Sequence, residues 1–208
     1  MPTVLLTGFA PFGGFRANPS QQIAERLDGG TVGGARVVGL TLPVRMGEDA
    51  DRLTAAIADH RPVLVLGLGL AQGATCLEVE RFAVNLRLAG EVDPDKPVEP
   101  DLPQSVIIAD GLCALAATVD AERVARAIRD RAGVPARAHG YAGAYACNHI
   151  LYHALHYALQ WDLPHCAGFV HLPLSSEQVI TENKMHLPSL PLDRMAAGVR
   201  VAIEEALL

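Results

Sequence analysis

Pro62-Val63-Leu64-Val65-Leu66-Gly67-Leu68-Gly69-Leu70-Ala71-Gln72-Gly73 is the stretch on which the fold turns. Residues 63–66 are apolar at odd and even positions alike. That is the pattern of a strand covered on both faces, which sheets with helices on each side require. After Leu66 the sequence reads as a glycine-rich turn. Its spacing is GxGxxxG rather than GxGxxG, and residues 74–86 read as extended rather than helical. Both features argue against a dinucleotide-binding loop.

The flanking segments repeat the strand-then-helix order. Val4 to Thr7 is a short apolar run closed by Gly8. A loop with Pro11, Gly13, Gly14 and Asn18-Pro19 follows, and Ser20 reads as the N-cap of the next helix. Arg36–Leu42 reads as a strand ended by Pro43, and Glu48–His60 as an amphipathic helix with Ala50, Leu53 and Ile57 inward. Residues 77–86 read as extended. Asp120 caps a helix to about Arg131, stopped by Gly133 and Pro135. Helix over Cys147–Gln160, strand over His165–Val170 and helix over Leu192–Leu207 complete the series. The expected architecture is α/β, three layers as α/β/α, around a mostly parallel mixed sheet. Residues 1–208 read as a single domain. Glu91–Pro103, with prolines at 94, 97, 100 and 103, reads as a surface excursion rather than a linker.

Composition narrows the class. Half of the 208 residues are hydrophobic but only 5% are aromatic, so Ala, Val, Leu and Ile build the core. The net charge of -6, with basic residues dispersed, argues against nucleic acid or an anionic membrane as partner. No apolar run reaches the ~20 residues that span a bilayer, and the Met-Pro-Thr-Val start is strand-like rather than a basic leader. A cytoplasmic location is the expectation. Cys76, Cys113, Cys147 and Cys166 form no CxxC pair and read as free thiols.

One of these thiols stands apart. Ala142-Gly143-Ala144-Tyr145-Ala146-Cys147-Asn148 places a cysteine after small residues at a helix start, where backbone can approach a ligand and N–H groups face developing negative charge. The bland reading of any cysteine is a small buried hydrophobe, and it serves for the other three. Gly168-Phe169-Val170-His171-Leu172-Pro173 puts His171 at the C-terminal end of an apolar strand, where open α/β sheets collect their sites. Glu80-Arg81, with Asn85 close behind, supplies a carboxylate. Glu78 lies two residues away on the same strand face, however, and spacing alone does not choose between them. Thiol, imidazole and carboxylate are the parts of a nucleophile site.

Four blocks in order resemble the pyroglutamyl peptidase I (pyrrolidone-carboxylate peptidase) family. They are Thr7-Gly8-Phe9-Ala10-Pro11-Phe12-Gly13-Gly14 with Asn18-Pro19-Ser20, Glu80-Arg81-Phe82-Ala83-Val84-Asn85, the block around Cys147, and Phe169-Val170-His171-Leu172-Pro173. The resemblance implies a cysteine exopeptidase removing N-terminal pyroglutamyl residues from peptides, with Glu80, Cys147 and His171 as triad. It also implies Phe9 and Phe12 as walls around a flat lactam, and no metal or organic cofactor. Asn18, Leu70 and Gln72 join the substrate contacts, the backbone of Cys147 and Arg87 the oxyanion site. The chain departs from the family at Leu70, where Gln is usual with Gln72 two residues on. It departs again at Gly90, where an arginine would align, and at Ala117-Thr118-Val119-Asp120, where Ser-Thr-Leu-Pro is common. A homo-oligomer, dimer or tetramer, is allowed for.

Two rivals keep other classes in view. The first is a non-catalytic small-molecule-binding or assembly protein on the same scaffold. The second, more distant, is a metal-dependent hydrolase using His149, His153 and His156, which fall on one helical face. The absence of an HExxH arrangement favours a polar interface stripe there.

Overall fold

The central strands are buried almost throughout, because alternate side chains fall on two faces and each face has its own helices. A computed structural model describes residues 1–88, 104–160 and 166–208. The strands are β1 (Thr3–Phe9), β2 (Thr31–Val32), β3 (Ala35–Leu42), β4 (Leu64–Leu70), β5 (Leu77–Val84), β6 (Arg87–Leu88), β7 (Gln104–Ser105), β8 (Ala114–Ala116), β9 (Ala136–Tyr141), β10 (Cys166–Leu172), β11 (Leu174–Ser175) and β12 (Ser189–Leu190). The helices are α1 (Pro19–Leu27), α2 (Glu48–His60), α3 (Ala121–Ala127), α4 (Ala146–Gln160), α5 (Ser176–Thr181) and α6 (Leu192–Ala206). A π-type turn, Ile128–Ala132, extends α3.

The main sheet runs β2-β3-β1-β4-β10-β5-β8, with β9 also on β5. β1 pairs in parallel with β3 and β4, β4 with β10, and β5 with β9. The pairs β2–β3, β10–β5 and β5–β8 are antiparallel. The sheet is therefore mixed and mostly parallel, as the sequence implies. Val4 and Leu6, Leu64, Leu66 and Leu68, Leu77 and Val79, and Val170 and Leu172 meet α1, α3 and α6. Leu5, Phe9, Val65, Ala167 and Phe169 meet α2 and α4. The same alternation turns Gly67, Gly69, Glu78, Glu80 and His171 toward the α2/α4 side.

Several boundaries depart from the sequence reading. The strand read over 62–66 begins at Leu64 and continues to Leu70, through the glycines taken for a turn. These glycines face α4. A Cβ on Gly67 would collide with the Phe169 ring, and one on Gly69 would lie 2.6 Å from Cys147 Sγ. They permit close approach within a strand rather than a bend. The α1 cap is Asn18, not Ser20. Asn18 Oδ1 accepts from the Ser20 N–H at 3.0 Å and from its hydroxyl at 2.7 Å, with Pro19 opening the helix. Strand β9, after Pro135, has no counterpart in the sequence reading. Gly90, the excursion at Glu91–Pro103 and His165 lie outside the described residues.

Candidate active site

The thiol is held by its helix and by what its strand neighbours lack. Gly143, at φ +79°, makes the turn between β9 and α4, and Cys147 sits in the first helical turn. The next residue anchors it. The buried Asn148 amide donates to the carbonyls of Val84 (2.9 Å) and Leu86 (3.0 Å), and its oxygen accepts from the Val84 N–H at 2.8 Å. Those three bonds tie the helix start to the end of β5. Cys147 Sγ then lies over Gly69, next to the Phe169 ring. The first amides of a helix have no intrahelical acceptor and face outward with the positive end of the dipole. Replacing Gly69 by alanine therefore forces Sγ aside. Activity should fall about 100-fold, the scale set by a 1 Å misplacement, while circular dichroism stays unchanged. Undiminished turnover in Gly69→Ala would remove this packing argument.

β10 and β5 bring the other two groups together. His171 Nδ1 lies 2.7 Å from Glu80 Oε1. The carboxylate is 0% exposed and the imidazole 12%. An ionised carboxylate only accepts, so Nδ1 carries the proton and Nε2 is left for the thiol. Phe169 packs edge-on to the imidazole with centroids 4.9 Å apart. Burial is the largest influence on His171 and lowers its pKa. The charge of Cys147, a hydrogen bond with it, and the hydrogen bond and charge of Glu80 outweigh that burial and push it up to about 10. The ring therefore favours its protonated form beside the buried Glu80 carboxylate. Glu78, the other candidate acid, is engaged elsewhere: Arg137 Nε lies 3.0 Å from its Oε1.

Glu80 also has a partner that sequence reasoning missed. His139 Nδ1 lies 2.9 Å from Oε2 and 3.1 Å from Oε1. The pairing Glu80↔His139 belongs to the β5–β9 ladder. The alternation of Ala136 and Ala138 with Arg137 and His139 is the signal that would have exposed it. Asn85, another residue of that block, stands outside the constellation. Its side chain accepts from the N–H groups of Ile107 and Ile108 and donates to the carbonyls of Ile108 and Gly111, shaping that loop.

The expected substrate contacts separate. Phe12, Phe15 and Leu70 pack with Leu174, Val179 and Leu187, an apolar cluster at the end of β4 and β10. Phe9 follows the Gly8 at which the sequence implies a strand end. It is the last residue of β1, 2% exposed, and backs the α2/α4-side core from within. Asn18 has its polar atoms occupied, since besides the cap its Nδ2 donates to the Ala10 carbonyl at 3.2 Å. Its role is to hold the loop. Leu70 closes a strand, whereas Gln72 is exposed in the turn beyond it. Arg87, expected at the oxyanion, donates from Nε to Ser105 Oγ at 2.8 Å, and its charge acts on His153.

The histidine stripe is a polar seam between α2 and α4. His149 Nδ1 lies 3.1 Å from Asp49, His153 Nε2 3.2 Å from His149 Nε2, and His156 stacks on Tyr152. Burial, then the charge of His149, lowers the His153 pKa to about 4 against the raising effect of Asp49. A folded value below the unfolded 6.5 removes stability as pH falls from 6.5 toward 4. His153→Gln should therefore reduce the loss of urea stability between pH 7 and pH 5 by about 1–2 kcal/mol. Identical pH dependence in the two proteins would contradict the shift.

Thiol, imidazole and buried carboxylate brought together across β5, β10 and the start of α4 are the parts of a cysteine hydrolase. The sequence pattern of pyroglutamyl peptidase matches residues 2–208. The pyrrolidone-carboxylate peptidase of Pyrococcus furiosus is 34% identical over 212 residues, 98% of this chain and 97% of that one. That of Mycobacterium tuberculosis H37Rv is 36% identical over 216 residues, 100% of this chain and 93% of that one. A crystal structure of the Pyrococcus furiosus pyrrolidone carboxyl peptidase superposes with a TM-score of 0.90 at 34% identity, covering 99% of this chain and 98% of that one. The chain belongs to the pyroglutamyl peptidase family.

Proposed function

We propose that the chain is a cysteine exopeptidase that removes an N-terminal pyroglutamyl residue from peptides, with Cys147, His171 and Glu80 as its triad. The observation that carries the triad is the 2.7 Å contact of His171 with a fully buried Glu80 while Arg137 occupies Glu78. Family membership over residues 2–208 supports the substrate class. The apolar cluster around Phe12 and Leu70 suits an uncharged flat ring.

In the first half-reaction Cys147 Sγ, whose proton passes to His171 Nε2, forms a bond to the carbonyl carbon that joins pyroglutamate to the next residue. The π electrons move to the carbonyl oxygen. That oxyanion is stabilised by amides at the start of α4, including the N–H of Cys147. Its collapse expels the leaving amine, which takes the proton from His171 Nε2 as the C–N bond breaks. The thioester remains. Water then attacks the same carbon, His171 removes a proton from it, and the C–S bond breaks to free pyroglutamate and the thiol. Glu80 holds the imidazole orientation and offsets its positive charge throughout. These steps route no proton or electron through a metal or organic cofactor.

Release of a chromogenic amine from a pyroglutamyl amide tests the reading. Turnover should survive EDTA and be abolished by a thiol alkylator that modifies Cys147. A protein that binds the amide without turnover would instead be the binding or assembly protein considered above, which family membership does not favour.

A further inference from the structure

We propose that His139 is a positioning residue for the triad, clamping the Glu80 carboxylate together with His171. The inference rests on the peptidase reading above. It starts from the register of β5 and β9, which run in parallel and pair Glu78 with Arg137 and Glu80 with His139. Each carboxylate thus meets a cationic or N–H-donating partner from the outer strand.

Glu80 cannot be oriented by His171 alone. The terminal torsion of a glutamate is broad, so rotamer preference does not fix the plane of its carboxylate. A carboxylate that is 0% exposed also needs partners for both oxygens, because water does not reach it. His171 approaches Oε1 at 2.7 Å, and His139 approaches Oε2 at 2.9 Å with a longer 3.1 Å reach to Oε1. Both imidazoles present Nδ1 to an acceptor-only group, so both donate from that nitrogen. Two donors from separate strands, β9 and β10, leave the carboxylate one plane in which both bonds survive. His139 acts on the chemistry through Glu80 and touches no reacting atom. Glu78, Glu80 and His139 also present ligand atoms within 4.8 Å of one another. Arg137 and His171 already match the two carboxylates, and the cluster is therefore read as a hydrogen-bonded clamp rather than an ion site.

His139 is 40% exposed, so its truncation costs little packing. The test compares wild type, His139→Ala and His139→Asn, whose amide places a donor near the position of Nδ1. Steady-state kinetics on a pyroglutamyl amide, melting temperature, and the rate of iodoacetamide alkylation at Cys147 read by mass spectrometry are followed together. His139→Ala should lower kcat about tenfold or more with KM changed less than about twofold, and His139→Asn should recover most of the loss. In a Glu80→Gln background the His139→Ala penalty should shrink to about twofold or less, since the residue it acts through is already altered. A kcat within about twofold of wild type in His139→Ala overturns the proposal, as does an undiminished penalty in the Glu80→Gln background. Alkylation needs no peptide. Slowed modification of Cys147 in His139→Ala would uphold the clamp even if wild type failed to release amine from the pyroglutamyl amide, and that failure would count against the substrate reading alone.

Discussion

Cys147→Ser should lower kcat on a pyroglutamyl amide by about 10,000-fold or more while leaving the melting temperature close to wild type. The hydroxyl is smaller than the thiol and fits the same space over Gly69 and beside Phe169. What changes is the nucleophile: an alcohol gives up its proton far less readily than a thiol. Cys147→Ala should be equally inactive and equally folded. Cys76, Cys113 and Cys166 provide the contrast. Burial raises the Cys76 thiol, Cys113 is exposed, and Cys166 packs against the α1/α3/α6-side core. Cys166→Ala should retain activity. A dead Cys166→Ala beside an active Cys147→Ala would reverse the nucleophile assignment.

His171→Ala should lose about 1,000-fold or more in kcat, and Glu80→Gln about 100-fold. The histidine loss is the greater because His171 is the group proposed to carry the proton between thiol, amine and water. A glutamine at 80 still offers an oxygen to orient the ring but carries no charge to offset the imidazolium. The two variants also differ in pH behaviour. The folded value of about 10 for His171 lies above the unfolded 6.5. The stability this adds is fully present below pH 6.5 and is lost as pH rises through about 10. His171→Ala should therefore flatten the alkaline limb of a urea-stability profile and leave the acid limb to His153. Glu78→Gln should keep its activity, because Glu78 faces Arg137 and not the imidazole. An inactive Glu78→Gln with a wild-type Glu80→Gln would move the acid two residues upstream.

What the sequence could and could not disclose follows from range. The alternation of helices with doubly buried strands is local, so the layers, both ends of α2, the end of β3 and the start of β5 are visible in one dimension. Gly67 and Gly69 mislead because glycine spells a turn locally. Their actual purpose, admitting Phe169 and Cys147 from residues about 80–100 positions away, is a tertiary fact. Glu78 and Glu80 share a strand face and are equivalent until β9 and β10 supply Arg137 and His171 to tell them apart. β9 itself is short, its Arg137, His139 and Tyr141 stand at the rim of the sheet, and Gly133 and Pro135 before it read as loop. With β9 unseen, His139 was unseen too. The loop after β1 misled in a different way. Ser20 and Asn18 are both good caps, and only the bonds to the Ser20 N–H and the Ala10 carbonyl show which residue holds the loop.

The comparison that bears most directly on the whole reading is between three amides of one chromogenic amine, carrying pyroglutamyl, prolyl or glutaminyl groups. A pyroglutamyl residue has no ammonium, and the slot proposed at the apolar cluster of Phe12 and Leu70 suits its uncharged ring. A prolyl ammonium would shed water there without a partner, at a cost of several kcal/mol. The predicted result is a kcat/KM for the pyroglutamyl amide at least about 100-fold above both others, and its loss in Cys147→Ala. Comparable values for the prolyl and pyroglutamyl amides, or pyroglutamyl turnover that persists without the Cys147 thiol, would contradict the account.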